Sequence, residues 1–192
     1  MNYKILTPLI TFLALILLAS AHLAIGASSS PLDANTQNAS ARPVKFRPGF
    51  AEYSVTFPSP PKKSEQAVET EEGEQIKSVV AELETKTTYL KAEFAQISPV
   101  AITLMTEDEM RQRAFAYARH NGLTAPQVRI ERTALGRKVS IRGTKILSGI
   151  AITYEMITYY GKSTMTSVYV GVPSSDYPTR DSHAFLQSVT ER

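Results

Sequence analysis

The chain has 192 residues, a net charge of +3 and no cysteine, which leaves room for one domain and excludes disulfides and thiolate metal sites. Its three histidines, His22, His120 and His183, show no HxH or HExxH spacing, so no zinc centre and no metal ligands are expected. A domain of this size must hold itself together by its hydrophobic core alone.

Residues 1–27 read as a targeting segment. Lys4 supplies a short positive start, Leu9 to Leu18 is apolar apart from Thr11, and Ala19-Ser20-Ala21 is a small-x-small cleavage pattern. Two readings stand side by side: a cleaved signal peptide, or an N-terminal membrane anchor. The stretch from Ile5 to Ala27 is long enough for the second, since a span needs roughly 20 residues, although Pro8, Ser20 and His22 interrupt it. Residues 28–43, "SSSPLDANTQNASARP" with the preceding alanine set aside, are polar, small and bounded by proline, the composition of a flexible linker. One folded domain is expected over 44–192.

Within the domain, Tyr53 to Phe57 alternates as a strand that the prolines at 58, 60 and 61 stop. Glu65 to Thr70 and Gln75 to Glu82 follow as strands around the turn "EEGE", and Thr87 to Phe94 alternates again, so an antiparallel meander is expected. The period then lengthens. Thr106 and Glu109 have capping-box spacing, Met110, Ala114, Tyr117 and Ala118 form a helical stripe, and Gly122 ends it. Acids open this helix and Arg119 and His120 close it, as the helix dipole favours.

Four more strands are expected at Gln127–Ala134, Lys138–Lys145, Ile150–Tyr160 and Thr164–Val172, with turns at Gly136-Arg137 and Gly161-Lys162. A closing helix places Pro178 in its first turn and buries Phe185, Leu186 and Val189. Hairpin-linked strands with segregated helices predict an α+β fold, a mostly antiparallel sheet sandwiched by helices.

The chemistry-bearing residues are sparse. "GKST" at Gly161 lacks the upstream glycine of a phosphate loop and reads as a turn. No GxSxG elbow is present, and Glu107, Asp108 and Glu109 suit a helix N-terminus better than a calcium loop. No catalytic residue and no cofactor is therefore expected.

Charge is uneven. Glu65 to Met110 holds eleven acids and three bases, whereas Arg111 to Lys145 holds nine bases and one acid, Glu131. Two readings are open: the basic helix and strand edge face acidic strands within the fold, or Arg111, Arg113, Arg119, Arg129, Arg137, Lys138 and Arg142 form a candidate partner surface for a charged protein or anionic lipid heads. Nucleic acid is not expected, because aromatic platforms do not interleave with these bases. Tyr154, Tyr160 and Tyr169 on neighbouring strands are either core or the wall of a groove for an amphipathic ligand.

Several short motifs occur in a fixed order: "YSVTFPSPPKK" followed by "ETEEG", then "ALGRKVSIRGTK", "AITYEMITYYGKSTMTSVYVGVP" and "AFLQSV". Together, from Phe50 to Val189, they resemble the PsbP-like superfamily. That resemblance implies an α-β-α sandwich in an exported bacterial protein of the periplasm, soluble or anchored to the inner membrane. It also implies a non-enzymatic accessory or assembly role, with a membrane-associated or envelope protein as partner. The runner-up expectation is a carrier of a small apolar or amphipathic ligand between sheet and helix. Nothing in the residues specifies an oligomeric state.

Overall fold

The computed structural model describes residues 42–69, 75–85 and 87–191. The targeting segment, nearly all of the linker and the "EEGE" turn lie outside them. Among the described residues ten strands and three helices follow one another: β1 (Val44–Phe46), β2 (Tyr53–Phe57), β3 (Lys62–Glu69), β4 (Gln75–Glu84), β5 (Tyr89–Gln96), α1 (Pro99–Leu104), α2 (Glu107–His120), β6 (Thr124–Thr133), β7 (Gly136–Leu147), β8 (Ile150–Tyr160), β9 (Thr164–Pro173), α3 (Arg180–Leu186) and β10 (Thr190–Glu191).

Seven strands form one sheet in the order β3-β4-β5-β9-β8-β7-β6, and every neighbouring pair is antiparallel. The other three make a small sheet, β1-β2-β10. This corrects the expected sandwich: the protein is mostly antiparallel β, with few and short helices, and is not an α-β-α sandwich. The physical reason lies in β2. Its alternation marks it as a strand, but its partners are the three-residue β1 and the two-residue β10, not the meander. One face of the large sheet is consequently covered by a second sheet and by α3, whose seven residues are too few to form a layer.

Strand alternation gives the large sheet two interiors. On the first face, Ala95, Val139, Ile141, Met156, Tyr160, Met165 and Tyr169 meet Met110, Ala114 and Ala118 of α2 and Ile102 of α1. The capping box forms as its spacing predicts: the Glu109 N–H donates to Thr106 Oγ1 at 3.2 Å, and the Thr106 N–H donates to Glu109 Oε2 at 2.7 Å. On the second face, Ala81, Leu90, Ala92, Phe94, Ile157, Val168 and Val170 meet Val55 and Phe57 of β2 and Phe185 and Leu186 of α3. Phe57 and Phe185 stack with centroids 4.8 Å apart, and Phe46 closes on Phe94 at 5.7 Å. Ser188 ties the corner, donating to the Phe185 carbonyl and accepting from the Thr56 N–H.

The edge strands β3 and β6 are guarded by charge. Lys62, Lys63 and Glu65 are exposed on one and Arg129 and Arg132 on the other, which discourages edge-to-edge pairing. Among the described residues no helix is long and apolar enough to cross a membrane.

Candidate functional site

An open concave feature of about 640 Å3 lies at one end of the large sheet, where α1, the β6–β7 turn and the β8–β9 turn converge. Its walls include Ile102, Thr103, Arg132, Arg137 and Lys162. The register puts Arg132 directly opposite Arg137 on the first face. Two like charges side by side repel, so each needs its own partner. Arg137 donates to the carbonyls of Ile102 and Met105, which a helix end leaves without intrahelical donors. Arg132 reaches the Glu107 carboxylate at 3.5 Å; both side chains are largely exposed, so that pair contributes little to stability. Val100 and Leu104 stand out from the same short helix, 64% and 59% exposed.

A carboxylate braces this end. Glu52, just before β2, accepts from the Lys162 N–H at 2.9 Å, the Ser163 N–H at 2.7 Å and the Ser163 hydroxyl at 3.0 Å. Burial pushes its pKa up, but these hydrogen bonds outweigh burial and hold it below the ordinary carboxylate range. The turn backbone must come close for this: a Cβ on Gly161 would lie 2.6 Å from the Glu52 carboxylate.

A second cluster sits beneath α2, two strands in from the β3 edge. Lys91 and Glu93 are on the first face of β5, 8% and 5% exposed, with Nζ 3.4 Å from Oε2. The Tyr169 hydroxyl donates to the same Glu93 oxygen at 3.3 Å, and Lys91 Nζ lies 5.0 Å from the Tyr169 ring centre. Tyr117 of α2 covers Tyr169, centroids 6.1 Å apart. Burial, opposed by Lys91 and Tyr169, leaves the Glu93 pKa raised. Burial, with Glu93 beside it, raises that of Tyr169 well above its ordinary value. Next to this cluster Tyr117, Asn121, Tyr154 and Tyr169 border a pocket of about 30 Å3. That is space for a water or two, not for an amphiphile. Of the three tyrosines expected to line a groove, Tyr154 and Tyr169 do meet there; Tyr160 is buried in the first-face core four residue pairs beyond that of Tyr169.

The seven cations expected to share a surface are divided by the sheet. Arg111 and Arg119 are exposed on α2, outside the first face. Arg113 turns inward from that helix: its Nη1 is buried without a hydrogen-bond partner among the described residues, and burial lowers its pKa. Arg137 belongs to the groove. Arg129, Lys138 and Arg142 project from the second face, on the far side of the sheet from α2. There Lys138 bonds Glu131 at 3.1 Å, Arg129 approaches the same carboxylate at 3.7 Å, and Arg142 donates to Gln127 at 2.8 Å. Much of the basic run is thus matched across neighbouring strands.

Sequence reasoning missed Arg132, Lys162 and the helix that carries Val100 and Leu104. The signal for α1 was present as "SPVAITL", a proline at the first helical turn followed by an apolar run. Among the described residues no group of three His, Asp or Glu side chains is placed to hold a metal ion. No protein-family model and no curated protein matches this chain, and the PsbP-like resemblance rests on its short motifs alone.

Proposed function

We propose that this chain is an exported, non-enzymatic binding domain that engages a membrane-associated or envelope protein through the cationic groove at the α1 end of the sheet. The observation that supports it best is the pairing of chemistry there. Arg132 and Lys162 flank an open cleft of about 640 Å3, and the apolar Val100 and Leu104 stand beside it. Arginine next to exposed apolar side chains is the composition of a protein-docking patch, and the open shape suits a protruding acidic segment better than a small molecule. Arg137 is a poor probe of this surface, because its guanidinium holds the end of α1.

The test is site-specific photocrosslinking of the full-length protein in native membranes, with the crosslinker at Thr103 and, as a control, at Arg129 on the opposite face. Under this reading a discrete protein adduct forms from position 103 and not from 129, and Arg132→Glu with Lys162→Glu abolishes it. An adduct that survives the double charge reversal, or that forms equally from 129, overturns the assignment of the groove.

A further inference from the structure

At the other end of β7 the β7–β8 hairpin runs out to a tip of unusual composition. We propose that this tip docks the domain on a membrane by inserting between the headgroups of an anionic bilayer. The proposal does not depend on the groove reading.

The tip is a two-stranded ribbon that projects beyond β6 and β9. The ladder continues to its last pair, Leu147 opposite Ile150, and closes through Ser148 and Gly149 at φ of 48° and 81°. Positive φ at both central residues is the geometry of the tight hairpin turn that follows the twist of its strands. Yet its side chains are apolar and face solvent: Ile146 is 66% exposed and Ile150 55%. The register assigns them to different sides. Ile146 and Ala151 form one cross-strand pair, Leu147 and Ile150 the next, and successive pairs point to opposite faces. A flat protein surface would desolvate one side of such a ribbon and leave the other wet. A bilayer interface surrounds the tip and covers both.

The flanking charge fits an anionic surface. Lys145 immediately precedes Ile146, and Arg119 and His120 end α2 on the same side of the molecule. The chain leads from them to Thr124, whose hydroxyl meets that of Thr144 at 2.9 Å, two residues from Ile146. The acids on this end are Glu155, Asp176 and, three strands away on β4, Glu82 and Glu84, and several are engaged: Glu82 accepts from the Tyr89 hydroxyl at 2.7 Å. Glu155 accepts from the Tyr177 hydroxyl, and Asp176 lies in a loop that Ser174 fastens to the Ala151 carbonyl at 2.8 Å. Lysine and arginine near the surface of an anionic leaflet attract it, and apolar side chains at the tip supply the insertion.

The covalent geometry of the chain permits this orientation. Residues 28–43 reach ~55 Å when fully extended, so the apolar stretch that precedes them can lie in the same bilayer whichever end of the domain faces it. The twelve residues of β7 then set the cationic groove ~37 Å from the tip, pointing away from the lipid.

The absence of tryptophan gives a clean test. Ile150→Trp in the full-length chain is reconstituted into vesicles of phosphatidylglycerol and phosphatidylcholine with brominated acyl chains, and Thr133→Trp, exposed at the opposite end, is the control. The expected result is blue-shifted emission at position 150, quenched ~2-fold by the brominated lipid, with unshifted, unquenched emission at 133. Replacing the anionic lipid by phosphatidylcholine alone, or adding salt, should reverse the shift. Water-like emission at 150, equal quenching at both positions, or quenching indifferent to lipid charge overturns the proposal. So does a blue shift without bromine quenching, which would mean that protein, such as a second copy of this chain, covers the tip. Should Ile150→Trp fail to fold, Ala151→Trp on the other side of the ribbon reads the same depth.

Discussion

The two faces of the seven-stranded sheet are filled by different means. The second face is closed by aromatic and aliphatic side chains from β2, α3 and the sheet, Phe57, Phe94 and Phe185 among them. The first face also holds a hydrophobic cluster under α2, but a buried lysine, a buried glutamate and a tyrosine interrupt it. Apolar packing stabilises in proportion to the area removed from water and is indifferent to pH. A buried ion pair must recover its own desolvation, and removing one partner strands the other. Both faces stabilise by apolar burial, and the first adds a buried ion pair whose contribution depends on pH.

Breaking the second face should cost most. Phe57→Ala empties a fully buried aromatic site and is expected to destabilise by ~4 kcal/mol, read by denaturant unfolding; a loss below half of that would mean β2 contributes little to closure. On the first face, Lys91→Ala leaves Glu93 without its cation and should cost ~3 kcal/mol at neutral pH. The deficit should shrink in acid, where Glu93 takes up a proton. If the loss is the same at pH 5 and pH 8, Glu93 is not the stranded charge.

Titration sharpens the comparison, because two carboxylates act with opposite sign. The pKa of Glu93 is raised, so its contribution is present in acid and is lost as pH rises through that elevated value. The pKa of Glu52 is lowered, so its contribution is present above the ordinary carboxylate value of 4.5 and is lost as pH falls through the depressed one. Stability curves of Glu93→Gln and Glu52→Gln against pH should diverge from the parent in opposite directions, Glu93→Gln gaining relative stability toward alkaline pH. Parallel curves would remove the distinction between the two sites.

Smaller effects are expected at the groove. Gly161→Ala forces the Glu52 carboxylate off the β8–β9 turn and should cost ~1 kcal/mol. Arg132→Ala, whose ion pair is exposed, should change stability by less than ~0.5 kcal/mol while weakening partner binding, which separates a working surface from a structural one.

Where the sequence carried a period, it located the elements well. Thr106 and Glu109 announce the start of α2, and Ile150–Tyr160 coincides with β8. What escaped was too short to show a period: Val44–Phe46, Thr190–Glu191 and the six residues of α1. These short pieces decide the architecture, because they determine that β2 leaves the meander for a sheet of its own. The site was half legible for a similar reason. Arg137 is recognisable as a cation, but its engagement by the Ile102 and Met105 carbonyls is a tertiary fact. Likewise, the split of Arg111 and Arg119 from Arg129, Lys138 and Arg142 depends on which face each strand residue takes, and the charge run along the chain does not encode it.

The central position of β2 has a consequence for the order of events during synthesis. One of its neighbours, β1, lies a few residues before it, and the other, Thr190–Glu191, more than a hundred residues after. Similarly, β5 finds its second partner only when β9 arrives. A polypeptide emerging from its N-terminus first cannot close either sheet until its last strands exist, so the second-face core stays open throughout elongation. The sequence-adjacent hairpins β3-β4-β5 and β6-β7-β8 can pair as they are made, whereas the second-face core is completed only after β9 and β10 have been synthesised.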